Sequence, residues 1–499
     1  MTSAYTQLCQ RERERALLGS CAALLAWDER TYLPPRGVPH RGEQLALLAR
    51  LVHERLSDQR LGELVQAAQS EVAPESPEAA NVREIRRAHE RAVKIPARLV
   101  EELARATSQG QQAWEEAKRR ADFAPFLPFL ERIIALKREE AAALGAPSGV
   151  LYDALLDEYE PGLTAAGVTA IFDELRAAIV PLLGEVQATG RTAPVELLQR
   201  HYPVERQRIL SELVAHALGF DFAAGRLDVT VHPFCSSHGP GDVRLTTRYN
   251  EHHLSEALFG TLHEAGHGIY EQNLPAEHFG LPVGSACSLG VHESQSRLWE
   301  NLIGRSRPFW DWLFPIVRGL FPEALRTVTV AEFHFAVNDV RPSFLRIEAD
   351  EVTYNLHIIL RFELERALLD GNLTPAELPL AWNEKFKACF GLTPPSDDLG
   401  CLQDVHWSAG LIGYFPTYTL GNLLAAQFLE KARADLGHLD EVCRRGEFYA
   451  LKDWLVHHIH RHGQRHRTAE LCRLVTGHEL SARPLLRHLR GKFLPLYQG

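Results

Sequence analysis

Apolar residues recur every three to four positions along most of the chain, with charged residues between them, which is the pattern of amphipathic helices. The pattern is clearest over residues 94–144 and continues through 164–190 and 203–218. Alternation typical of strands is confined to residues 227–249, where two runs flank the turn-rich segment 235–241. The sequence therefore predicts a mainly helical fold with a small sheet near its middle.

The breaks between the predicted helices are short, and none has the length or composition of a flexible interdomain linker. Because the sequence also contains no internal repeat, we predict one large domain over residues 1–499. Within it, we expect residues 1–200 to form a helical lobe or lid. Residues 201–499 are expected to form the lobe that carries the metal site described below.

Composition and charge exclude several classes of protein. The chain is 45% hydrophobic and has a formal net charge of −10, which argues against disorder and against a nucleic-acid-binding surface. No apolar run reaches the roughly 18 residues that a membrane span needs, and residues 1–15 lack the pattern of a signal peptide. The cysteines are scattered without a CxxC pair. We therefore expect a cytoplasmic protein without nucleic-acid or membrane partners.

The chain contains 24 histidines, and two of them stand in a pattern that is specific for metal binding. His263, Glu264 and His267 form an HExxH motif in a segment that is predicted to be helical from about residue 254 to 272. One helical turn places both histidines on the same face, so that they can bind one cation together. Glu264 can then act as a general base. The alternative is a pair of helical histidines that only pack or form hydrogen bonds.

A catalytic zinc ion usually has three protein ligands and one open position, so we expect a third ligand. The metzincin extension is absent, because Tyr270 and Asn273 replace its glycine and its third histidine. Glu293 is favoured, since the loop after the HExxH helix lets a second helix return along the first. A His/His/Glu set with an open position is typical of hydrolytic zinc sites. The alternatives for the third ligand are Glu271, Glu277, His278, His292 and Glu300.

The sequence around HExxH resembles the carboxypeptidase Taq family of metallocarboxypeptidases. The resemblance runs from about residue 152 to 463. It rests on HPF (232–234), DxRxT (242–246), HExxH (263–267), HESQ (292–295), RxxAD (346–350), GxxQDxHW (400–407) and the similar segments 152–162 and 458–463.

This resemblance implies a large, two-lobed helical zinc-peptidase fold, similar to neurolysin and the angiotensin-converting enzymes, with a deep groove between the lobes. It also implies a homodimer that removes single residues from the C-termini of short peptides. By motif matching, His263, His267 and Glu293 become the zinc ligands, and Glu264 becomes the general base. One Zn²⁺ per chain is expected, with Co²⁺ or another divalent ion as the alternative metal.

A carboxypeptidase also needs a fixed cation for the terminal carboxylate of its substrate, and arginine suits this because it binds a carboxylate bidentately. Arg346, the arginine of the RxxAD motif, is the first choice. The alternative is a structural ion pair with Glu348 or Asp350 on the same segment.

Further residues follow from the resemblance. Related zinc peptidases use histidine and tyrosine side chains downstream of the metal site, so His406, Tyr414 and Tyr418 are predicted to stabilise the oxyanion or contact the carboxylate. The alternative for either tyrosine is a buried, hydrogen-bonded side chain. Asp242, Arg244 and Thr246 are predicted to close one end of the groove, or else to hold their strand by an ion pair. His232 is expected to contact substrate or, with slight preference, to satisfy a buried backbone group.

Four histidines lie within residues 457–462, but the run has no accompanying carboxylate or cysteine pattern. We therefore favour a structural or partly solvated helix end over a second metal site. The predicted function is that of a zinc carboxypeptidase. A zinc endo-oligopeptidase of the same fold and a non-catalytic protein stapled by zinc are the alternatives.

Overall fold

The computed structural model describes residues 3–499 and is mainly helical, as predicted, with 69% of the chain in helices and one three-stranded sheet. The α-helices are α1 (Ala4–Thr31), α2 (Val38–Leu56), α3 (Gln59–Ala68), α4 (Pro77–Lys94), α5 (Ala97–Arg120), α6 (Leu127–Leu144), α7 (Leu151–Tyr159), α8 (Ala165–Ala188), α9 (Val204–Leu218), α10 (Leu254–Gln272), α11 (Leu289–Arg297), α12 (Arg307–Leu320), α13 (Pro322–Leu325), α14 (Val330–Ala336), α15 (Tyr354–Asp370), α16 (Leu378–Phe390), α17 (Pro416–Leu436), α18 (Leu439–Arg444), α19 (Tyr449–His458), α20 (Thr468–Thr476) and α21 (Arg483–Gln498).

The chain forms two compact units, and each is assembled from segments that are distant in the sequence. The first unit comprises the residues up to Val93 together with Ala193–Val337 and Leu424–Leu480. The second comprises Lys94–Thr192, Asn338–Leu423 and Ser481–Gly499. The single domain with a lobe boundary near residue 200 stays a prediction.

The sheet belongs to the first unit and consists of β1 (Gly225–Val229), β2 (Cys235–Ser237) and β3 (Val243–Thr247). Its order is β1-β3-β2, with β1 parallel and β2 antiparallel to the central β3. Two of the strands lie where alternation predicts them. The prediction of a turn over residues 235–241 is wrong for its first three residues, which form β2. Three residues are too few to show alternation, and the pairing with β3 makes them a strand.

α10 occupies the span predicted for the HExxH helix and packs against β3 and α11. Its apolar residues Leu258, Leu262, Ala265 and Ile269 recur at three- to four-residue spacing and are buried. A loop then leads to α11, where the Ser288 hydroxyl accepts a hydrogen bond from the backbone N–H of Val291 and caps the helix. The two helices that carry the predicted ligands are therefore neighbours.

The second unit contains α5–α8, α15, α16 and α21. Most residues of α15 are buried, including Arg361 and Glu365, so this helix lies at the centre of the unit. Buried charged groups need partners. Glu365 accepts hydrogen bonds from the Tyr152 hydroxyl at 2.8 Å and from Trp407 Nε1 at 3.0 Å, and the partner of Arg361 is described below. Across residues 3–499, we find no helix with the length and apolar character that crossing a membrane requires.

Candidate metal centre

The structure brings the three predicted ligands together. α10 presents His263 and His267, α11 presents Glu293, and one ligand atom from each lies within 4.8 Å of the others. Glu293 Oε2 is 3.8 Å from His263 Nε2 and 3.5 Å from His267 Nε2. Atoms held about 2.1 Å from a tetrahedral ion are about 3.4 Å apart, so this spacing fits a bound divalent cation.

Other side chains fix the orientation of both histidine rings. The Nδ1 atom of His263 lies 2.8 Å from Glu300 Oε2, and that of His267 lies 2.6 Å from His292 Nδ1. His292 in turn contacts Glu271 Oε1 through its Nε2 atom, at 2.9 Å. Because the Nδ1 atoms are used in this way, both Nε2 atoms are left available to bind a cation, as in established histidine sites.

The alternatives for the third ligand lie elsewhere than Glu293. Glu271, His292 and Glu300 support the two histidines and do not belong to the ligand cluster. Glu277 and His278 lie in the short 3₁₀ turn of the loop after α10 and do not belong to it either.

Glu293 is held by its own helix and by the turn that follows. Arg297 Nε donates to Glu293 Oε1 at 2.7 Å, and the Ser296 hydroxyl donates to Oε2 at 3.1 Å. After α11, a π-helical turn over Leu298–Ile303 carries Glu300 towards His263, and such turns are frequent at functional sites. Burial opposes ionisation, but Arg297 and the histidines hold the pKa of Glu293 well below its usual range.

The electrostatics suit a proton-transfer role for Glu264. Its side chain is buried, and burial raises its pKa to about 7, near the value at which a general base works best at neutral pH. Burial lowers the pKa of His267 to about 3, so that its ring is neutral, which is the form that binds metal. For His263, the nearby Glu293 and Glu300 outweigh burial and raise the pKa to about 9.

A second predicted cluster forms within the second unit around Arg346. This buried guanidinium donates from Nε and Nη2 to Asp404 Oδ1 at 3.0 and 2.8 Å, and from Nη1 to the Tyr354 hydroxyl at 3.2 Å. Arg361, fully buried on α15, binds the other oxygen of Asp404 at 2.7 Å. The carboxylate partner of Arg346 is therefore Asp404, not Glu348 or Asp350.

His406, Tyr414 and Tyr418 lie in the same cluster as Arg346. His406 Nε2 is 3.1 Å from the Tyr418 hydroxyl, and the Tyr414 ring lies 5.4 Å from the Tyr418 ring. The guanidinium of Arg346 lies 5.0 Å from the centre of the Tyr418 ring. Burial lowers the pKa of His406 to about 4, so that the ring is neutral. The structure thus gathers all four of these predicted residues.

Sequence reasoning did not single out Arg361 or Tyr354. Arg361 occurs within a helical apolar pattern. A charged residue at a position of α15 that should be buried is the one signal that it needs a partner of opposite charge. Asp404 is part of the GxxQDxHW motif, but nothing local shows that it would bind two arginines. The contacts of Asp404 with Arg346 and with Arg361 join residues that are 58 and 43 positions apart.

The residues of the DxRxT motif make contacts that stabilise the sheet. Arg244 donates to Asp242 at 2.7 and 2.8 Å and lies 4.3 Å from the centre of the Trp27 ring. The Thr246 hydroxyl accepts a hydrogen bond from the backbone N–H of Phe234 at 2.8 Å. A role of Asp242, Arg244 and Thr246 towards substrate stays a prediction. His232 is exposed, so it does not make the buried backbone contact favoured for it from the sequence.

The first two histidines of the run, His457 and His458, end α19, and the other two, His460 and His462, lie in the turn that follows. Over residues 3–499, the group formed by His263, His267 and Glu293 is the only one in which three potential ligand side chains converge, so the segment forms no second centre of this kind. Within the segment, His460 is fully buried and its Nε2 atom lies 2.9 Å from Gln295 Oε1, which supports the structural interpretation.

A largely helical chain with a His/His/Glu centre and a buried glutamate beside it has the arrangement of a hydrolytic metalloenzyme. The comparisons with known proteins give the family. The sequence matches the carboxypeptidase Taq (M32) metallopeptidases over residues 7–493. It is 50% identical to thermostable carboxypeptidase 1 of Thermus thermophilus, over 99% of each chain.

Solved structures agree with this match. The M32 carboxypeptidase of Deinococcus radiodurans is 44% identical and superposes with a TM-score of 0.96, covering 99% of this chain and 100% of the other. A carboxypeptidase of Pyrococcus furiosus is 35% identical, with a TM-score of 0.95 and 99% coverage of both chains. The protein belongs to the carboxypeptidase Taq family and has its fold. It is a metallocarboxypeptidase, and a divalent metal is implied for it.

Proposed function

We propose that this metallocarboxypeptidase is a zinc enzyme that releases single amino acids from the C-termini of short peptides, with Glu264 as its general base. The observation that carries the proposal is the placement of a buried glutamate beside three convergent ligand atoms. Their spacing suits a tetrahedral ion, and the set of two imidazoles and one carboxylate suits zinc. A protein that used zinc only as a staple would have no need for such a base.

In this proposal, His263, His267 and Glu293 hold the cation. When bound, a divalent cation supplies Lewis acidity that activates water and polarises the scissile carbonyl. Glu264 accepts the proton of the attacking water and then delivers it to the leaving amine.

The proposal assigns the terminal carboxylate of the peptide to Arg346. In support, Arg346 and Arg361 share the single carboxylate of Asp404, so these three side chains carry one positive charge in excess. An uncompensated buried charge is costly, and an incoming carboxylate would balance it. We expect Arg346→Lys to raise KM for peptides with a free C-terminus by about tenfold or more, because lysine cannot bind bidentately.

The remaining predicted residues belong to the same proposal. The neutral His406 and the tyrosines Tyr414 and Tyr418 donate hydrogen bonds to the oxyanion or to the terminal carboxylate. His232, Asp242, Arg244 and Thr246 limit the length of bound substrate. The wider likeness to neurolysin and the angiotensin-converting enzymes is also proposed, and a crystal structure with a bound peptide would test it.

Mass spectrometry of a peptide digested with and without a chelator tests the reaction. We expect a ladder of products that lose one residue at a time from the C-terminus, and we expect chelation to abolish it. Internal cleavage would contradict the proposal. A peptide with an amidated C-terminus is the matched control, since a carboxypeptidase should not cleave it, whereas an endo-oligopeptidase should.

Glu264→Gln separates catalysis from metal binding. We expect this variant to bind one Zn²⁺ per chain and to lose peptidase activity by a factor of about 10³, because the base is gone while the ligands remain. Normal activity would leave zinc with a structural role only. Metal analysis of protein purified without added ions tests zinc against Co²⁺ and other divalent ions.

We further propose a homodimer in the cytoplasm that acts on short peptides and binds neither nucleic acid nor membranes. The support is the family membership together with the acidic net charge of −10. Light scattering after size-exclusion chromatography tests the dimer, and fractionation of the source cells tests the location.

A further inference from the structure

The histidine-rich segment after α19 has no part in the reaction proposed above, yet it contacts the loop that leads to α11. We call residues 460–468 the brace. Its polar contacts with the loop are a hydrogen bond from Gln464 Nε2 to Ala286 O (3.1 Å), one from Cys287 Sγ to His466 O (3.1 Å) and one from Thr468 Oγ1 to Ser288 Oγ (2.8 Å).

Two features show how closely the brace and the loop fit. At Gly463, which has a φ of +50°, a Cβ atom would lie 2.1 Å from Val283 O, so only glycine fits there. Ser288, the residue that Thr468 contacts, is the N-cap of α11. The brace therefore helps to fix the point at which the helix of Glu293 begins.

His460, the first residue of the brace, contacts both helices that carry ligands. It is fully buried, and its Nε2 atom is 2.9 Å from Gln295 Oε1 on α11. Its ring lies 4.8 Å from that of Tyr270 on α10. Gln295 stands two residues after Glu293, and Tyr270 stands three after His267.

The direction of the hydrogen bond follows from the network. Gln295 Nε2 donates to the Ser294 hydroxyl at 2.9 Å, which leaves Gln295 Oε1 as an acceptor. His460 must therefore donate from Nε2, and its Nδ1 has no hydrogen-bond partner among residues 3–499. Burial lowers the pKa of His460 to about 3, so the ring is neutral and carries a single N–H. An apolar residue here would leave a buried amide oxygen without a donor.

We propose that His460 is a positioning residue for the metal centre, and that its hydrogen bond to Gln295 and its contact with Tyr270 hold Glu293 at the correct distance from His263 and His267. This inference rests on the proposed function, since it assumes that these three residues bind the metal. It gives the histidine-rich segment a role as support for the centre, without a metal of its own.

Cobalt loading tests the role with readouts that do not depend on activity. Metal-stripped protein is loaded with Co²⁺, its visible absorption spectrum is recorded, and the rate of Co²⁺ release to a chelator is measured. We expect His460→Leu, which keeps the volume but removes the donor, to release Co²⁺ about tenfold faster and to change the spectrum. His460→Gln places an amide N–H near the original Nε2 and should restore both readouts. His457→Leu, at an exposed histidine in the same segment, is the matched control and should match wild type.

The outcomes separate the two proposals. If the wild-type protein fails to bind one Co²⁺ per chain, the proposed function fails. If it binds Co²⁺ and His460→Leu releases it at the wild-type rate, only the role of His460 is overturned. Fast release from both the Leu and the Gln variants would also overturn it, because the donor would then not matter. Should His460→Leu fail to fold, the smaller His460→Asn replaces it, because its amide cannot reach Gln295. Fast Co²⁺ release from this variant supports the role of His460, and release at the wild-type rate overturns it.

Discussion

Among single residues, Gly266 on α10 sets how closely the two ligand-bearing helices approach. A Cβ atom at this position would lie 2.6 Å from Gln295 O and 2.7 Å from Ser296 Cα. Both are backbone atoms of α11, so the helix would have to move as a whole to admit even one methyl group. That movement would carry Glu293 away from the histidines of α10.

We therefore expect Gly266→Ala to weaken Zn²⁺ binding about tenfold and to lower the free energy of unfolding by about 1–3 kcal/mol, the usual cost of overpacking. Calorimetric titration and chemical denaturation measure the two effects. Gly260→Ala on the same helix is the control, because a Cβ there meets only the Thr247 hydroxyl at 3.7 Å. It should bind Zn²⁺ normally, as alanine favours a helix. Unchanged affinity in Gly266→Ala would contradict the argument.

Glu300 acts through His263, whose ring it orients at 2.8 Å. We expect Glu300→Ala to release bound metal 10- to 100-fold faster, because the ring loses the acceptor that fixes its direction. Glu300→Gln keeps one side-chain oxygen, so it should release the metal at a rate between those of Glu300→Ala and wild type. Stopped-flow transfer of metal to a chromogenic chelator measures the rates. Glu323→Gln, which alters an exposed ion pair with Arg206, should have no effect. Equal rates in all variants would show that Glu300 does not support the centre.

These residues also show where sequence reasoning ends. The placement of the histidine pair on one face follows from the geometry of one helical turn, whereas Glu293 was favoured over the alternative ligands by its HESQ motif and the family resemblance. Glu300 was named only as an alternative ligand, because the π-helical turn that aims it at His263 has no sequence pattern of its own. The partnership of His460 with Gln295 spans 165 positions and leaves no local trace.

Among the elements, predictability depends on length. α10 runs over the predicted residues because its apolar positions keep one period for five turns, whereas β2 was missed because it has only three residues. α21 packs through buried apolar residues such as Leu485, Leu489 and Phe493, and a buried acid of the second unit adds an ionic contact. The carboxylate of Glu351 binds Lys492 Nζ and His488 Nε2 of this helix, both at 2.6 Å, and is 5% exposed.

We expect Glu351→Gln to destabilise the protein by about 3 kcal/mol at neutral pH, because it removes the buried charge that pairs with Lys492 and His488. Burial opposes ionisation, but Lys492 and His488 outweigh it and lower the pKa of Glu351 from its ordinary 4.5 to about 2. A lowered pKa means that the ionised acid stabilises the fold fully above about pH 4.5. This contribution is lost as the pH falls towards 2.

Chemical denaturation at about pH 7, 5 and 3 measures this dependence. The free energy of unfolding of Glu351→Gln should fall below that of wild type by the largest amount at about pH 7 and 5, and by a smaller amount at about pH 3. The control is Glu185→Gln, which removes the exposed partner of Arg490 on the same helix. It should cost less than about 1 kcal/mol at every pH. A deficit that does not vary with pH would contradict the ionic origin.

For the whole molecule, segments that follow one another in the sequence do not always belong to the same compact unit. Each compact unit draws on three separate stretches of chain, and helical periodicity carries no information on which stretches associate. The proposed metal ligands and the brace belong entirely to the first unit, although the brace is far from these ligands in sequence. The second unit contributes no ligand to the centre. Bound metal should therefore stabilise the first unit directly.

Hydrogen–deuterium exchange with and without chelator tests this expectation. A metal present at about 100 times its Kd stabilises the folded state by about 2.7 kcal/mol, which slows exchange through unfolding about 100-fold. We expect chelation to remove this protection from α10, α11 and the brace, with α5 and α6 of the second unit as the internal reference. His263→Asn, which lacks one ligand, should not respond to the chelator, whereas Glu264→Gln should respond like wild type because its ligands are intact. Loss of protection in both units to the same extent would show that the metal stabilises the molecule as one cooperative unit.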